Sequence, residues 1–145
     1  MIIKILPEQI PKIWEVIKFV VGEVNELNTE DLSVHLNGLL QDLLSSKAQC
    51  WVRLNDARIL TAITITGLVV NKNTGGKKLI FHCLYSFLAV DDDTLKKEFS
   101  FLKTYAEKEK CSCAYATSEN KRVWEILSVL GFTEKGRNFY LKMGE

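Results

Sequence analysis

Asn120-Lys121-Arg122-Val123-Trp124-Glu125-Ile126-Leu127-Ser128-Val129-Leu130-Gly131-Phe132 is the stretch that decides the fold. Val123, Leu127 and Leu130 recur at helical spacing, which predicts one buried stripe on a helix over residues 119–130. Ser118 stands where an N-cap is needed, and Gly131 where helices commonly end in the left-handed conformation. Beyond it, residues 132–135 and 138–143 read as two short strands. Just upstream, residues 111–116 read as a strand. Before that, residues 94–108 read as a helix whose stripe is Leu95, Phe99, Leu102 and Ala106.

Working outward to the N-terminus, residues 2–6 read as a strand closed by Pro7, which suits the first turn of a helix. That helix carries Ile10, Ile13, Trp14, Ile17, Val21 and Val24 on one face. Asn28 is placed to cap a second helix with the stripe Leu32, Leu36, Leu39, Leu40 and Leu43, and Asp31 lies in its first turn where the helix dipole favours an acid. From Ala48 the period changes. Residues 50–54, 58–70 and 78–90 read as a three-strand antiparallel meander, and Asn71-Lys72-Asn73-Thr74-Gly75-Gly76 supplies its second turn. Trp14, Leu36, Leu40, Phe99, Leu102, Leu127 and Phe132 are the expected core.

The 145 residues suit one domain, residues 1–145, with no linker or repeat dividing it. Nineteen basic and 18 acidic residues leave a formal charge of +1, so no global field draws the chain to nucleic acid or to an acidic membrane. The apolar opening stops at Pro7, far short of the roughly 20 residues that cross a bilayer; a cytoplasmic protein is expected. Cys50, Cys83, Cys111 and Cys113 sit in strand-like runs and read as reduced, buried thiols. No metal site is expected at Cys111-x-Cys113.

The order strand, two helices, three antiparallel strands, helix, strand, helix, strand resembles that of the GNAT N-acyltransferases. The stretch from Asn120 to Phe132 is similar to the family's late motif, in which an asparagine follows the fifth strand and a helix runs to Leu-Gly-Phe. The resemblance implies an α+β domain, a mixed and mostly antiparallel sheet of six or seven strands flanked by four helices. It also implies acyl-CoA as cofactor and a small-molecule or protein amine as acceptor. The cofactor would lie where the fourth and fifth strands splay apart. Its pantetheine would bond to the backbone of Leu88, Ala89 and Val90, opposite residues 114–117, as an added strand would. Asn120 is the motif's asparagine.

Two departures from the family pattern stand out. The usual pyrophosphate loop uses glycines so that backbone N–H groups converge on an anion. Here Asp91-Asp92-Asp93-Thr94-Leu95-Lys96-Lys97-Glu98-Phe99-Ser100 puts Lys96, Glu98 and Ser100 at the glycine positions. A carboxylate about 6 Å from a phosphate costs up to about 3 kcal/mol at an effective dielectric near 20, which Lys96 and Lys97 partly offset. The acids also read simply as an N-cap and first-turn charges. Second, the family's proton-donating tyrosine falls seven residues after the asparagine, which here is Leu127. Tyr115 and Tyr140 are the tyrosines on flanking strands able to replace it. The fourth strand holds no carboxylate to act as base; His82 is its one group titrating near neutrality, on the alternation sharing a face with Ile80, Leu84, Ser86 and Leu88. A degenerate acyltransferase, or a non-catalytic binding or assembly module on the same scaffold, is expected.

Overall fold

The computed structural model describes residues 1–25, 29–137 and 139–144, with Thr29 described by its backbone alone. Strand β1 (Ile2–Lys4) leads through a single 3-10 turn (Pro7–Gln9) into α1 (Ile10–Val24) and α2 (Thr29–Leu44). The cap expected at Asn28 lies outside the described residues. Three strands follow, β2 (Ala48–Leu54), β3 (Leu60–Val70) and β4 (Lys77–Ser86), then α3 (Asp92–Lys108), β5 (Cys111–Ala116) and α4 (Lys121–Val129). The sheet order is β1-β2-β3-β4-β5. All neighbours are antiparallel except β4 and β5, which run parallel.

The sheet divides two cores. On one face α1 and α2 bury Ile10, Ile17, Val20, Val21, Leu39 and Leu43 against Cys50, Val52, Ile63, Ile65 and Cys83. On the other, Leu102 of α3 packs with Trp51, Leu79 and Phe81, and Phe99 and Phe132 close over them. Phe132 makes this closure edge-on to Phe81, with ring centres 5.8 Å apart. Its position follows from Gly131, whose φ of 93° turns the chain sharply after α4. A polar thread runs inside the second core. Trp51 Nε1 donates to Thr66 Oγ1 at 3.0 Å, and that hydroxyl donates to Gln49 Oε1 at 2.8 Å, so the buried polar atoms are bonded.

Several expectations are corrected. Five strands form among the described residues, not six or seven. Phe132 is anchored in the aromatic cluster, but Thr133–Arg137 and residues 139–144 carry no strand, and Phe139, Tyr140, Leu141 and Met143 project into solvent. Strand β4 ends at Ser86, short of Val90, because the chain bends at Phe87 and Leu88. The α4 cap is Asn120, whose Oδ1 accepts from Arg122 N at 2.9 Å; Ser118 Oγ instead accepts from Asn120 N. Of the seven expected core residues only Leu102 is fully buried, at 3% exposure. Trp14, Leu36, Leu40, Phe99, Leu127 and Phe132 are half-buried. Cys113 is exposed, since β5 is the sheet's edge and its register with β4 skips Ser112.

Candidate active site

The parallel pair β4–β5 is matched only from Lys77 with Cys111 to Phe81 with Ala116. Beyond Phe81, β4 continues from His82 to Ser86 with β3 on one side and, among the described residues, no strand partner on the other. The resemblance sets the splay at Leu88, Ala89 and Val90 opposite residues 114–117; instead residues 114–116 pair with Leu79–Phe81, and the opening lies at His82–Ser86. It begins at a bulge: Ile65 pairs with Cys83 and Thr66 with Phe81, so His82 is the extra residue. The bulge also breaks the alternation. Leu84 packs in the α3-side core, whereas Cys83 and Tyr85 belong to the α1–α2 side. His82 therefore does not share the face of Leu84, as simple alternation predicts. It lies with Cys83 on the wall of a pocket on the α1–α2 side.

The histidine ring lies across β3. A Cβ added at Gly67 would come 2.6 Å from His82 Nε2, so only a glycine leaves the imidazole this room. Although His82 keeps an exposed edge, partial burial pushes its pKa below the ordinary histidine value, His35 adds to that, and Asp42 opposes it. At neutral pH His82 is thus a neutral base with a lone pair to offer. Tyr115 stands on β5 opposite Ile80, half-buried, with Lys78 Nζ 4.8 Å from its ring centre. Its neighbours Ala114 and Ala116 face the α3 side, which turns Tyr115 to the same sheet face as His82. Tyr140 is not brought to these groups by any strand and is 86% exposed.

At the far end of the splay, Leu88 and Ala89 are exposed and Val90 is half-buried. Asp91 caps α3: its Oδ1 accepts from Thr94 N at 2.7 Å, and hydrogen bonding from the Thr94 side chain and then its backbone lowers the carboxyl's pKa. The first-turn amides of Asp92 and Asp93 have no carbonyl within the helix to bond, and the side chains of both project into water with that of Lys96. Asn120 is used as a helix cap, as above.

One part of the site escaped the sequence reading. Arg53 of β2 grips Glu98 of α3 with Nε to Oε2 at 2.7 Å and Nη2 to Oε1 at 3.0 Å. Its Nη1 donates to Ser86 Oγ at 3.0 Å and reaches the Leu88 carbonyl at 3.4 Å, which the Ser86 hydroxyl also bonds. Glu98, which the resemblance sets at a glycine position of the phosphate loop, instead lies inside α3 and is neutralised by a bidentate partner. The signal was present: a guanidinium inside the otherwise apolar run Cys50–Leu54 needs a carboxylate across the sheet face.

No protein-family model matches the sequence, and no curated protein matches it. Solved structures do match, at low identity. A predicted acetyltransferase from Clostridium acetobutylicum, solved with acetyl-CoA, is 12% identical with a TM-score of 0.74, covering 98% of this chain and 95% of its own. An aminoglycoside antibiotic 6'-N-acetyltransferase from Acinetobacter baumannii is 15% identical with a TM-score of 0.70, covering 99% and 97%. A ribosomal-protein-alanine N-acetyltransferase from Brucella melitensis is 12% identical, also with a TM-score of 0.70, covering 99% of each chain. The chain has the GNAT acyltransferase fold.

Proposed function

We propose that this chain is an acyl-CoA-dependent N-acyltransferase of the GNAT kind, with an atypical phosphate site and atypical proton transfer. The observation that carries the reading is the unpartnered flank of β4 from His82 to Ser86, where backbone groups are left for an extended ligand. The residues present fit acyl-CoA in part. That flank and the first-turn amides of α3 can accept pantetheine and phosphate, while Asp92 and Asp93 repel the pyrophosphate. Acyl-CoA supplies an activated thioester. The amine nitrogen attacks the thioester carbon, the carbon–sulfur bond breaks, and an amide and CoA result. His82, neutral at pH 7, takes the proton that the amine must lose, and Tyr115 supplies the proton for the departing thiolate. Tyr140, 86% exposed in the tail, would serve only if the tail folds over the splay.

A specific observation favours a second reading, a non-catalytic binding or assembly module. The Arg53 guanidinium and the Ser86 hydroxyl both bond the Leu88 carbonyl, one of the groups expected to hold pantetheine. The two readings separate in a thiol-release assay with acetyl-CoA and a panel of primary amines. Turnover that His82→Gln lowers at least tenfold supports the enzyme; no turnover above the uncatalysed rate with any amine supports the module. No helix among the described residues is long and apolar enough to cross a membrane.

A further inference from the structure

The two outer edges of the sheet are unlike. Strand β1 is 3 residues long and ends on Lys4, a short, charged edge of the kind that resists further pairing. Strand β5 has 6 residues, none of them charged and none a proline, and among the described residues no strand pairs with its outer side. Its skipped residue, Ser112, lies near the start and leaves Cys113–Ala116 in regular register. The chain also holds an unused strand former: in residues 139–144, Phe139, Tyr140, Leu141 and Met143 are 81% to 93% exposed, and Lys142 is the segment's one charge. We infer that a second copy of this chain lays its residues 139–144 on the outer edge of β5, and that the exchange is reciprocal, giving a strand-swapped dimer.

Edge and segment complement each other. On the α3 side β5 presents Cys111, Ala114 and Ala116, all small and packed beside Leu79 and Phe81. Alternation puts Phe139, Leu141 and Met143 on one face of an added strand, so large side chains meet a row of small ones, while the free backbone groups of both strands gain partners. Phe139 and Tyr140 carry about 150–250 Å² each; doubled by symmetry and joined by Leu141, Met143 and the edge they cover, the contact reaches the roughly 1,200–2,000 Å² of a specific interface. The occupant is a second copy because each chain leaves its own segment off its own edge. Phe132 is held against Phe81, which pairs with Ala116 at the end of β5. Gly136 follows with a φ of 73°, and the residues beyond it project into water. A short hinge between an anchored residue and a strand favours exchange over folding back. The inference is independent of the acyltransferase reading.

The test has two parts, both on the full chain. Sedimentation equilibrium from micromolar to millimolar protein should show a dimer. Leu141→Lys should weaken it at least tenfold with the circular dichroism of the parent, since Leu141 is 81% exposed and its replacement leaves both cores intact; Phe139→Glu should act the same way. Isotope-filtered NMR then identifies which copy the segment touches, in a sample of labelled and unlabelled protein mixed at low concentration and concentrated together. Contacts are expected from Phe139 and Leu141 of one copy to the Ala114 and Ala116 methyls of the other. The inference is overturned if the chain is monomeric throughout, if both variants dimerise like the parent, if those contacts occur only within one copy, or if the contacts between copies join other surfaces.

Discussion

Arg53 and Glu98 lock β2 to α3 with two parallel bonds of 2.7 and 3.0 Å, their side chains only 11% and 13% exposed. Removing one partner of so buried a pair strands the other charge, at a cost of about 3 kcal/mol. Replacing both with apolar residues removes that penalty. Urea unfolding should therefore show Glu98→Ala to be markedly less stable than the double variant Arg53→Met/Glu98→Leu. Equal losses in the two would mean that the pair is solvated and contributes little.

Leu102 and Leu127 read alike in the sequence but differ in the structure, the first buried and the second half-buried. Truncating a buried leucine typically costs about 2–5 kcal/mol. Leu102→Ala should fall in that range and Leu127→Ala clearly below it, as measured by the urea midpoint at unchanged slope. A larger loss at Leu127 would show that α4 is packed more deeply than described.

The thiols should separate by reactivity. Burial pushes Cys50 and Cys83 up to about 12, so at pH 8 neither forms thiolate, whereas Cys113 is exposed on the edge strand. Cys111 is intermediate, half-buried with a raised pKa. An aromatic disulfide reagent should modify Cys113 first, and Cys50 and Cys83 only on unfolding. Rapid labelling of all four in the native protein would contradict the buried placement of the pair.

His82 gives a pH signature. Because its folded-state pKa is lowered, the unfolded chain takes up the proton first as acid is added. Its contribution to stability is complete above the ordinary histidine value of about 6.5 and is lost as pH falls through it. His82→Gln should flatten the stability profile in that window. If His82 is the base, turnover should also persist to lower pH than an unperturbed histidine allows.

Element order as far as α4 and the stripes of α1 to α3 were legible because helical periodicity and caps are local signals, whereas α4 buries none of its expected stripe fully; Gly131 and Asp91 were read correctly on that basis. His82 was found but put on the wrong face, since a bulge is fixed by the pairing of Thr66 with Phe81 and of Ile65 with Cys83 and leaves no mark within β4. Arg53 and Glu98 meet across 45 residues of sequence, a distance over which spacing arguments have no reach. The C-terminal strands, whose bounds came with the resemblance in the late motif, do not form among the described residues, since a strand persists only where a sheet edge receives it.

Acetyl-CoA binding, measured by calorimetry at low salt, tests the central claim most directly, because it isolates the splay from all later chemistry. Asp92 and Asp93 stand at the start of α3, where the pyrophosphate would meet the helix, and screening is least at low ionic strength. The account predicts weak but saturable heat for the parent protein and tighter binding for Asp92→Asn/Asp93→Asn, since the first-turn amides remain while the repulsion is gone. No heat at millimolar acetyl-CoA for either protein would contradict it and leave the non-catalytic module as the reading of this fold.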